Sequence, residues 1–349
     1  MQNDNPVTEA IDILGVGNTL SVQEMSDSFR VIMSGNAEDE QIRLFLELLA
    51  QRIPTSDELL GAATVMKECV TRLDFPNPEA LLDTCGTGGA PKTFNVSTAA
   101  GIVAASCGVR VAKHGNTSRT GRGSAEVLEH LGVNIHATPE QQLLCLDEAG
   151  ICFCYAPKHH PAVAHVMRVR KTIGTPTIFN LLGPLTNPCS AGRQLLGVWD
   201  DMYVLPMAQA LLAGGTKKSA VVHGLDGLDE ISISSPTRVV FIDGLGCTED
   251  ILEPESYGLS MWNRELVTAS SLEDATRFIS DALTKGQLGA IRDMILLSAG
   301  VSLYLADVVS GIQEGIESAS EAIDSGAVRK TLQLWITLSN TSRPSTDAN

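Results

Sequence analysis

The stretch Leu81-Leu-Asp-Thr-Cys-Gly-Thr-Gly-Gly-Ala-Pro-Lys-Thr-Phe-Asn-Val-Ser-Thr-Ala-Ala-Gly101 decides the fold class. Its opening, Leu81 to Cys85, reads as a short buried strand. Gly86, Gly88 and Gly89 break that strand in a turn, and small apolar residues from Thr98 to Cys107 then continue at helical spacing. A strand that delivers a Gly-rich turn to the start of a helix is the first step of an α/β unit. Downstream, strands predicted at Val109–Ala112, Ile151–Tyr155, Ala220–His223 and Val239–Ile242 alternate with helices at Ser124–Leu131, Pro139–Glu148 and Met202–Ala213. The alternation predicts an α/β fold with a mainly parallel central sheet and a ligand site at the carboxyl ends of its strands.

Upstream the pattern is different. Residues 1–75 read as helices: Ser21 with Glu24 forms a capping box ahead of Met25, Phe29, Ile32 and Met33, Gly35 stops that helix, and Thr55 with Glu58 repeats the device before Leu59, Leu60 and Val65. The block carries 5 Lys or Arg against 13 Asp or Glu and contains no Gly-rich loop and no His, so it reads as a packing or oligomerisation module. Asp74-Phe-Pro-Asn-Pro78 marks a linker. The 349 residues, at roughly 150 per domain, agree with two domains.

Composition narrows the function. Acidic residues exceed basic ones by 41 − 25 = 16, a field that repels phosphate backbones and anionic lipid and argues against nucleic-acid or membrane partners. No apolar run approaches the roughly 20 residues of a spanning helix, and Met1-Gln-Asn-Asp-Asn-Pro6 lacks the features of a signal peptide, so a cytoplasmic location is expected. The eight cysteines agree with that compartment as reduced, buried thiols. Cys152-Phe-Cys154 lacks the spacer and second pair of a zinc site, and His159 and His160 lie beyond a Pro turn from it.

Four loops carry candidate chemistry. In the first, the glycines let backbone N–H groups approach an anion, and a helix start with the Ser97 and Thr98 hydroxyls follows. Pro91 at the third Gly position, with no Gly-Lys-Ser/Thr, excludes the dinucleotide fingerprint and the nucleotide P-loop. The second is Lys113-His-Gly-Asn116 through Thr117-Ser-Arg-Thr-Gly-Arg-Gly-Ser124, in a region, 110–175, with 8 basic against 5 acidic residues. Two such loops on neighbouring strands are suited to two phosphate groups some distance apart. The third contributes His160 and, ten residues on, Arg170, whose guanidinium suits a carboxylate. In the fourth, Asp229-Glu230 offers adjacent carboxylates of the kind that ligate Mg²⁺.

Asp83-Thr-Cys-Gly-Thr-Gly-Gly89, Asn95-Val-Ser-Thr98, Lys113-His-Gly-Asn116, Gly123-Ser-Ala-Glu-Val-Leu-Glu129, His160-Pro161, Val169-Arg170, Thr177-Ile-Phe-Asn-Leu-Leu-Gly-Pro-Leu-Thr-Asn-Pro188 and Asp229-Glu230 together resemble the anthranilate phosphoribosyltransferases of tryptophan biosynthesis, over about residues 10–335. The resemblance implies a helical domain (1–75, joined by segment 161–192) and an α/β phosphoribosyl-binding domain (76–160 and 193–345), in a homodimer formed through the helical part. It implies transfer of the phosphoribosyl group of 5-phosphoribosyl 1-diphosphate (PRPP) to the amine of anthranilate, with release of diphosphate and with Mg²⁺ as cofactor. PRPP would be held by Gly86, Thr87, Gly88, Gly89, Thr93, Asn95, Ser97, Thr98, Lys113, Asn116 and Ser124. Anthranilate would meet Gly86, Asn116, His160 and Arg170, and the metal Ser97, Asp229 and Glu230. No acid, base or nucleophile is required, because an aromatic amine is nucleophilic as the neutral base. Two loops depart from the family pattern and are each one residue short: Ala90 stands where the family has Asp, and Thr117 where it has Arg, with Arg119 or Arg122 as the compensating cation. The rival readings are a pyrimidine-nucleoside phosphorylase, which Asp229-Glu230, the Thr177–Pro188 block and the chain length oppose, and a non-catalytic phosphosugar-binding or nucleic-acid-binding paralogue, the latter opposed by the net charge.

Overall fold

The computed structural model describes residues 5–341. Met1 to Asp4 and residues 342–349 lie outside it. At the end of the described residues, Asn340 Nδ2 donates to the Gly132 carbonyl at 2.9 Å, and the Thr341 carbonyl accepts from Gln141 Nε2 at 2.7 Å.

Four helices open the chain: α1 (Pro6–Gly15), α2 (Val22–Met33), α3 (Asp39–Ala50) and α4 (Ser56–Glu68). Both expected capping boxes form. The Ser21 N–H donates to Glu24 at 2.8 Å, and the Thr55 N–H to Glu58 at 2.8 Å. Glu58 does more than cap α4. Fully buried, it also accepts from the Leu20 N–H at 2.9 Å and pairs with Arg52, so one carboxylate ties three segments of the lobe.

Strand and helix then alternate: β1 (Leu82–Gly86), α5 (Val96–Ser106), β2 (Val111–Gly115), α6 (Ser124–His130), α7 (Pro139–Glu148), β3 (Ile151–Tyr155), α8 (Ala156–His159), α9 (Ala164–Ile173), α10 (Ile178–Leu182), β4 (Arg193–Gly197), α11 (Val204–Ala213), β5 (Lys218–Gly224), β6 (Thr237–Ile242) and β7 (Cys247–Leu252). Helices α12 (Leu272–Lys285), α13 (Ala290–Leu305), α14 (Ile312–Asp324) and α15 (Ala327–Ser339) close the chain. The seven strands form one sheet in the order β3-β2-β1-β4-β5-β6-β7, parallel from β3 to β5 and antiparallel for β6 and β7. Two strands went unread in the sequence, β4 and β7, and β2 begins two residues later than expected.

Side chains alternate across the sheet and divide the core in two. Leu82, Val111, Ala220 and Val222 face a layer built from α5 and α12 to α15, with Trp335 buried in it. Cys85, Leu196 and Val221 face the opposite way, against α11 and, through it, the helices of the first lobe. The segment 161–192 packs back onto that lobe: α9 lies on α3 and α2, α10 on α4 and α3, and the Phe179 ring sits 5.5 Å from Phe29. The carboxyl ends of β1, β2 and β4 and the α9–α10 segment therefore converge between the lobes.

Candidate active site

The loop after β1 is held open by its backbone. Gly88 and Gly89 have φ of +65° and +103°, which L side chains rarely adopt, and a Cβ on Gly89 would stand 3.3 Å from the Trp199 ring. The Thr87 N–H donates to the Gly197 carbonyl at 2.9 Å and the Thr87 hydroxyl accepts from the Trp199 N–H at 3.2 Å, so the end of β4 anchors the turn. Asn95, itself left-handed at φ 64°, starts α5 and donates from Nδ2 to the Arg122 carbonyl at 3.3 Å, which ties the first loop to the second.

Lys113 lies beneath both loops, 1% exposed. Its Nζ donates to the Thr84 carbonyl and, at 3.2 Å, to Ser97 Oγ, while Asp83 and Glu230 supply opposing charge. Asp83 is fully buried; it accepts from the His114 N–H at 3.1 Å and from Asn187 Nδ2 at 2.8 Å. Asn187, from the Thr177–Pro188 block, thus braces the floor of the site. In the second loop, the Ser118 and Gly123 N–H groups donate to Glu126 at 3.1 and 3.0 Å, and Arg122 points its guanidinium to the Ala269 carbonyl. Arg119 is exposed with no bonded partner among the described residues.

Asp229 and Glu230 approach from the turn after β5. The approach requires glycine, because a Cβ on Gly197 would lie 1.8 Å from the Asp229 carbonyl oxygen. Burial raises the pKa of Asp229. It raises Glu230 further, to about 8, with the neighbouring Asp229 charge as second cause and Lys113 and the Ser97 N–H acting against it. Two half-buried carboxyls that resist ionisation beside one another form a hard-oxygen donor set of the kind that suits a divalent cation.

The cleft these loops enclose, of about 200 Å³, is lined by Gly86, Thr87, Gly88, Thr93, Asn95, Ser97, Lys113, Asn116, Ser124, Asp229 and Glu230. Of the expected PRPP-binding residues, Gly89 and Thr98 are outside its lining, and Thr98 is fully buried with an unpartnered hydroxyl. Lys92, His114, Thr117 and Ser118 line it as well, and of the two candidate compensating cations Arg122 lines it and Arg119 does not. A larger cleft of about 560 Å³, between α4 and α11, contains none of the four loops and only Gln194 and Asn187 of the braces beneath them.

His160 and Arg170 lie beyond the cleft, on the helical side. The His160 ring is 5.0 Å from that of His114, which does line the cleft, and both Nε2 atoms are buried without a partner. Burial lowers both pKa values, to about 4 for His160 and about 3 for His114, so both imidazoles are neutral at pH 7. Arg170 stacks on Phe179, its Cζ 4.8 Å from the ring centroid, and has no carboxylate partner among the described residues; burial lowers its pKa. Arg168, two residues away, points outward and pairs with Asp39. The structure therefore separates the two arginines, one satisfied at the surface and one unpaired and half-buried. It does not bring Arg170 into the cleft lining.

Comparison with known proteins agrees with this geometry. Residues 8–70 match the model of the glycosyl transferase family helical bundle domain, and residues 78–329 that of the glycosyl transferase family a/b domain. An anthranilate phosphoribosyltransferase of Rubrobacter xylanophilus is 42% identical over 333 residues, 95% of this chain and 97% of the relative. The crystal structure of the Thermus thermophilus anthranilate phosphoribosyltransferase superposes with a TM-score of 0.90 at 34% identity, covering 97% of this chain and all of that one. The Saccharomyces cerevisiae enzyme in complex with PRPP and Mg superposes with a TM-score of 0.86 at 26% identity, covering 97% and 98%.

Proposed function

The chain belongs to the anthranilate phosphoribosyltransferases, within the glycosyl transferase family with a helical bundle and an a/b domain, and we propose that its cleft carries out their reaction with the division of labour set out below. It transfers the phosphoribosyl group of PRPP to the amine of anthranilate and releases diphosphate. The observation that carries the assignment of roles is the meeting, in one cleft, of the Gly86–Gly89 turn, the 116–124 loop and the Asp229–Glu230 carboxyls.

Displacement at C1 of the ribose builds positive charge on the sugar as diphosphate leaves, so stabilisation of the leaving group and alignment matter more than a base. The Gly86–Gly89 turn, with Thr93, Asn95 and Ser97, holds the diphosphate, and the fully buried Thr98 supports the start of α5 behind them. Lys113 fixes the loops from below, and Asn116 and Ser124 hold the 5-phosphate end, with Arg122, which lines the cleft, as the compensating cation. Asp229, Glu230 and Ser97 hold Mg²⁺, which when bound neutralises charge on the leaving diphosphate; the raised carboxyl pKa values support this, because the pair is costly to ionise alone. On the helical side Arg170 receives the anthranilate carboxylate, and the neutral His160 and His114 line its route, with Gly86 and Asn116 where the two substrates meet. The exposed Val16, Leu44 and Met167 on the helical lobe support a homodimer formed through it, and eight free thiols fit a reducing cytoplasm.

Incubation with PRPP, anthranilate and Mg²⁺, followed by loss of anthranilate fluorescence, tests this reading beside a second arm with a pyrimidine nucleoside and inorganic phosphate. Turnover in the first arm alone is expected. Turnover in the second alone would reassign the cleft to a phosphorylase.

A further inference from the structure

Cys152 and Cys154 alternate with Phe153 on β3, so both thiols project from one face of the strand. The chain then runs through the helical lobe and returns Cys189, just past Pro188, to the same place. The three Sγ atoms lie within 4.8 Å of one another, Cys154 and Cys189 at 3.7 Å, and all three residues are at most 3% exposed. Among the described residues this is the one cluster of three soft or acidic donor side chains so arranged.

We propose that Cys152, Cys154 and Cys189 form a three-coordinate site for a soft d¹⁰ metal ion, separate from the Mg²⁺ carboxylates. Metal–sulfur bonds of about 2.3 Å, at angles between tetrahedral and trigonal, set sulfurs roughly 3.8–4.0 Å apart, close to the Cys154–Cys189 separation; a disulfide needs about 2.05 Å. The donor set is all sulfur, which selects thiophilic ions over hard ones such as Mg²⁺. His159 stands beside Cys189, but both its ring nitrogens are engaged, Nδ1 with the Thr71 carbonyl at 2.8 Å and Nε2 with Gln142 Nε2 at 3.3 Å. It leaves no fourth ligand of the kind that tetrahedral zinc requires, and the site fits ions content with three thiolates, of which Cu(I) is the biological representative and Cd²⁺ a convenient probe. Binding displaces the thiol protons to solvent and links the edge strand β3 to the segment entering β4.

The test is titration of the reduced full-length protein with Cd²⁺, following sulfur-to-cadmium charge-transfer absorption in a large excess of Mg²⁺. Saturation at one equivalent is expected, with loss of the band in Cys189→Ala and Cys154→Ala and its retention in Cys247→Ala, whose thiol is exposed. A band that survives Cys189→Ala, or none at one equivalent, overturns the site and leaves three core thiols packed as small apolar groups. Should an alanine variant not fold, thermal unfolding of the unaltered protein decides: one equivalent of Cd²⁺ raises Tm if the site exists, and an unchanged Tm overturns it.

Discussion

Arg170 is half-buried over an aromatic ring and has no ion-pair partner among the described residues, whereas Arg168 is paired with Asp39 and solvated. A charge-assisted contact to the anthranilate carboxylate is worth about 1.5–3 kcal/mol, or roughly 10- to 150-fold. Arg170→Ala should therefore raise KM for anthranilate within that range and leave KM for PRPP nearly unchanged, while Arg168→Ala changes neither. Steady-state kinetics with each substrate varied in turn checks this, and a larger effect on PRPP would make Arg170 a phosphate ligand. Glu230 yields a pH dependence. Its folded pKa of about 8 lies above the unfolded value of 4.5, so its contribution to stability is fully present below about 4.5 and is lost as pH rises through 8. On the proposed assignment, Mg²⁺ held by the ionised pair would reverse that loss. The Tm gain on adding Mg²⁺ should thus be larger at pH 8 than at pH 5, and Glu230→Gln should flatten the difference; equal gains at both pH values would remove Glu230 from the metal site.

At the scale of elements, the end of β4 positions the carboxylates. A Cβ at Gly197 would meet backbone, the Asp229 carbonyl at 1.8 Å, and backbone cannot swing aside as a side chain does. Gly197→Ala should cost about 1–3 kcal/mol of stability by overpacking and raise the Mg²⁺ concentration needed for half-maximal rate. Gly246→Ala, with nothing within 4 Å, should do neither. Denaturant unfolding and an Mg²⁺ titration of the rate check the pair. This element was not legible in the sequence. Arg193-Gln-Leu-Leu-Gly197 follows Pro188-Cys-Ser-Ala-Gly192 with too few apolar residues to show a period, and it becomes a strand because β1 and β5 pair with it on both sides. Strand β7 was missed for the opposite reason: Cys247 to Ile251 are exposed, so no apolar alternation marks an edge strand that pairs only with β6. The capping boxes at Ser21 and Thr55 were legible because the interaction is local. The loops around Gly86 and Asn116 were legible as Gly-bearing turns that open helices for the same reason. The bracing of Asp83 by Asn187, 104 residues away, and the His114–His160 contact depend on tertiary packing, to which spacing gives no clue.

For the whole molecule, the division into two lobes divides the chemistry. The Gly-rich loops and the carboxyls belong to the sheet, Arg170 and Phe179 to the segment packed on the helical lobe, and the His114–His160 contact joins them. Among the described residues no single helix is long and apolar enough to cross a membrane. The whole-molecule charge of −16 makes the cleft, with Lys92, Lys113 and Arg122 in its lining, a local exception suited to a small polyanion. The central claim is that anthranilate displaces diphosphate from PRPP with Asp229 and Glu230 holding the metal. The most direct measurement follows anthranilate fluorescence and diphosphate release in the same reaction, with and without Mg²⁺, for the unaltered protein and for the double variant Asp229→Ala, Glu230→Ala. The predicted result is one diphosphate per anthranilate consumed, dependence on Mg²⁺, and a loss of kcat on the order of 100-fold or more in a folded double variant. Diphosphate released without consumption of anthranilate, or near-normal Mg²⁺-dependent turnover in the double variant, would contradict it.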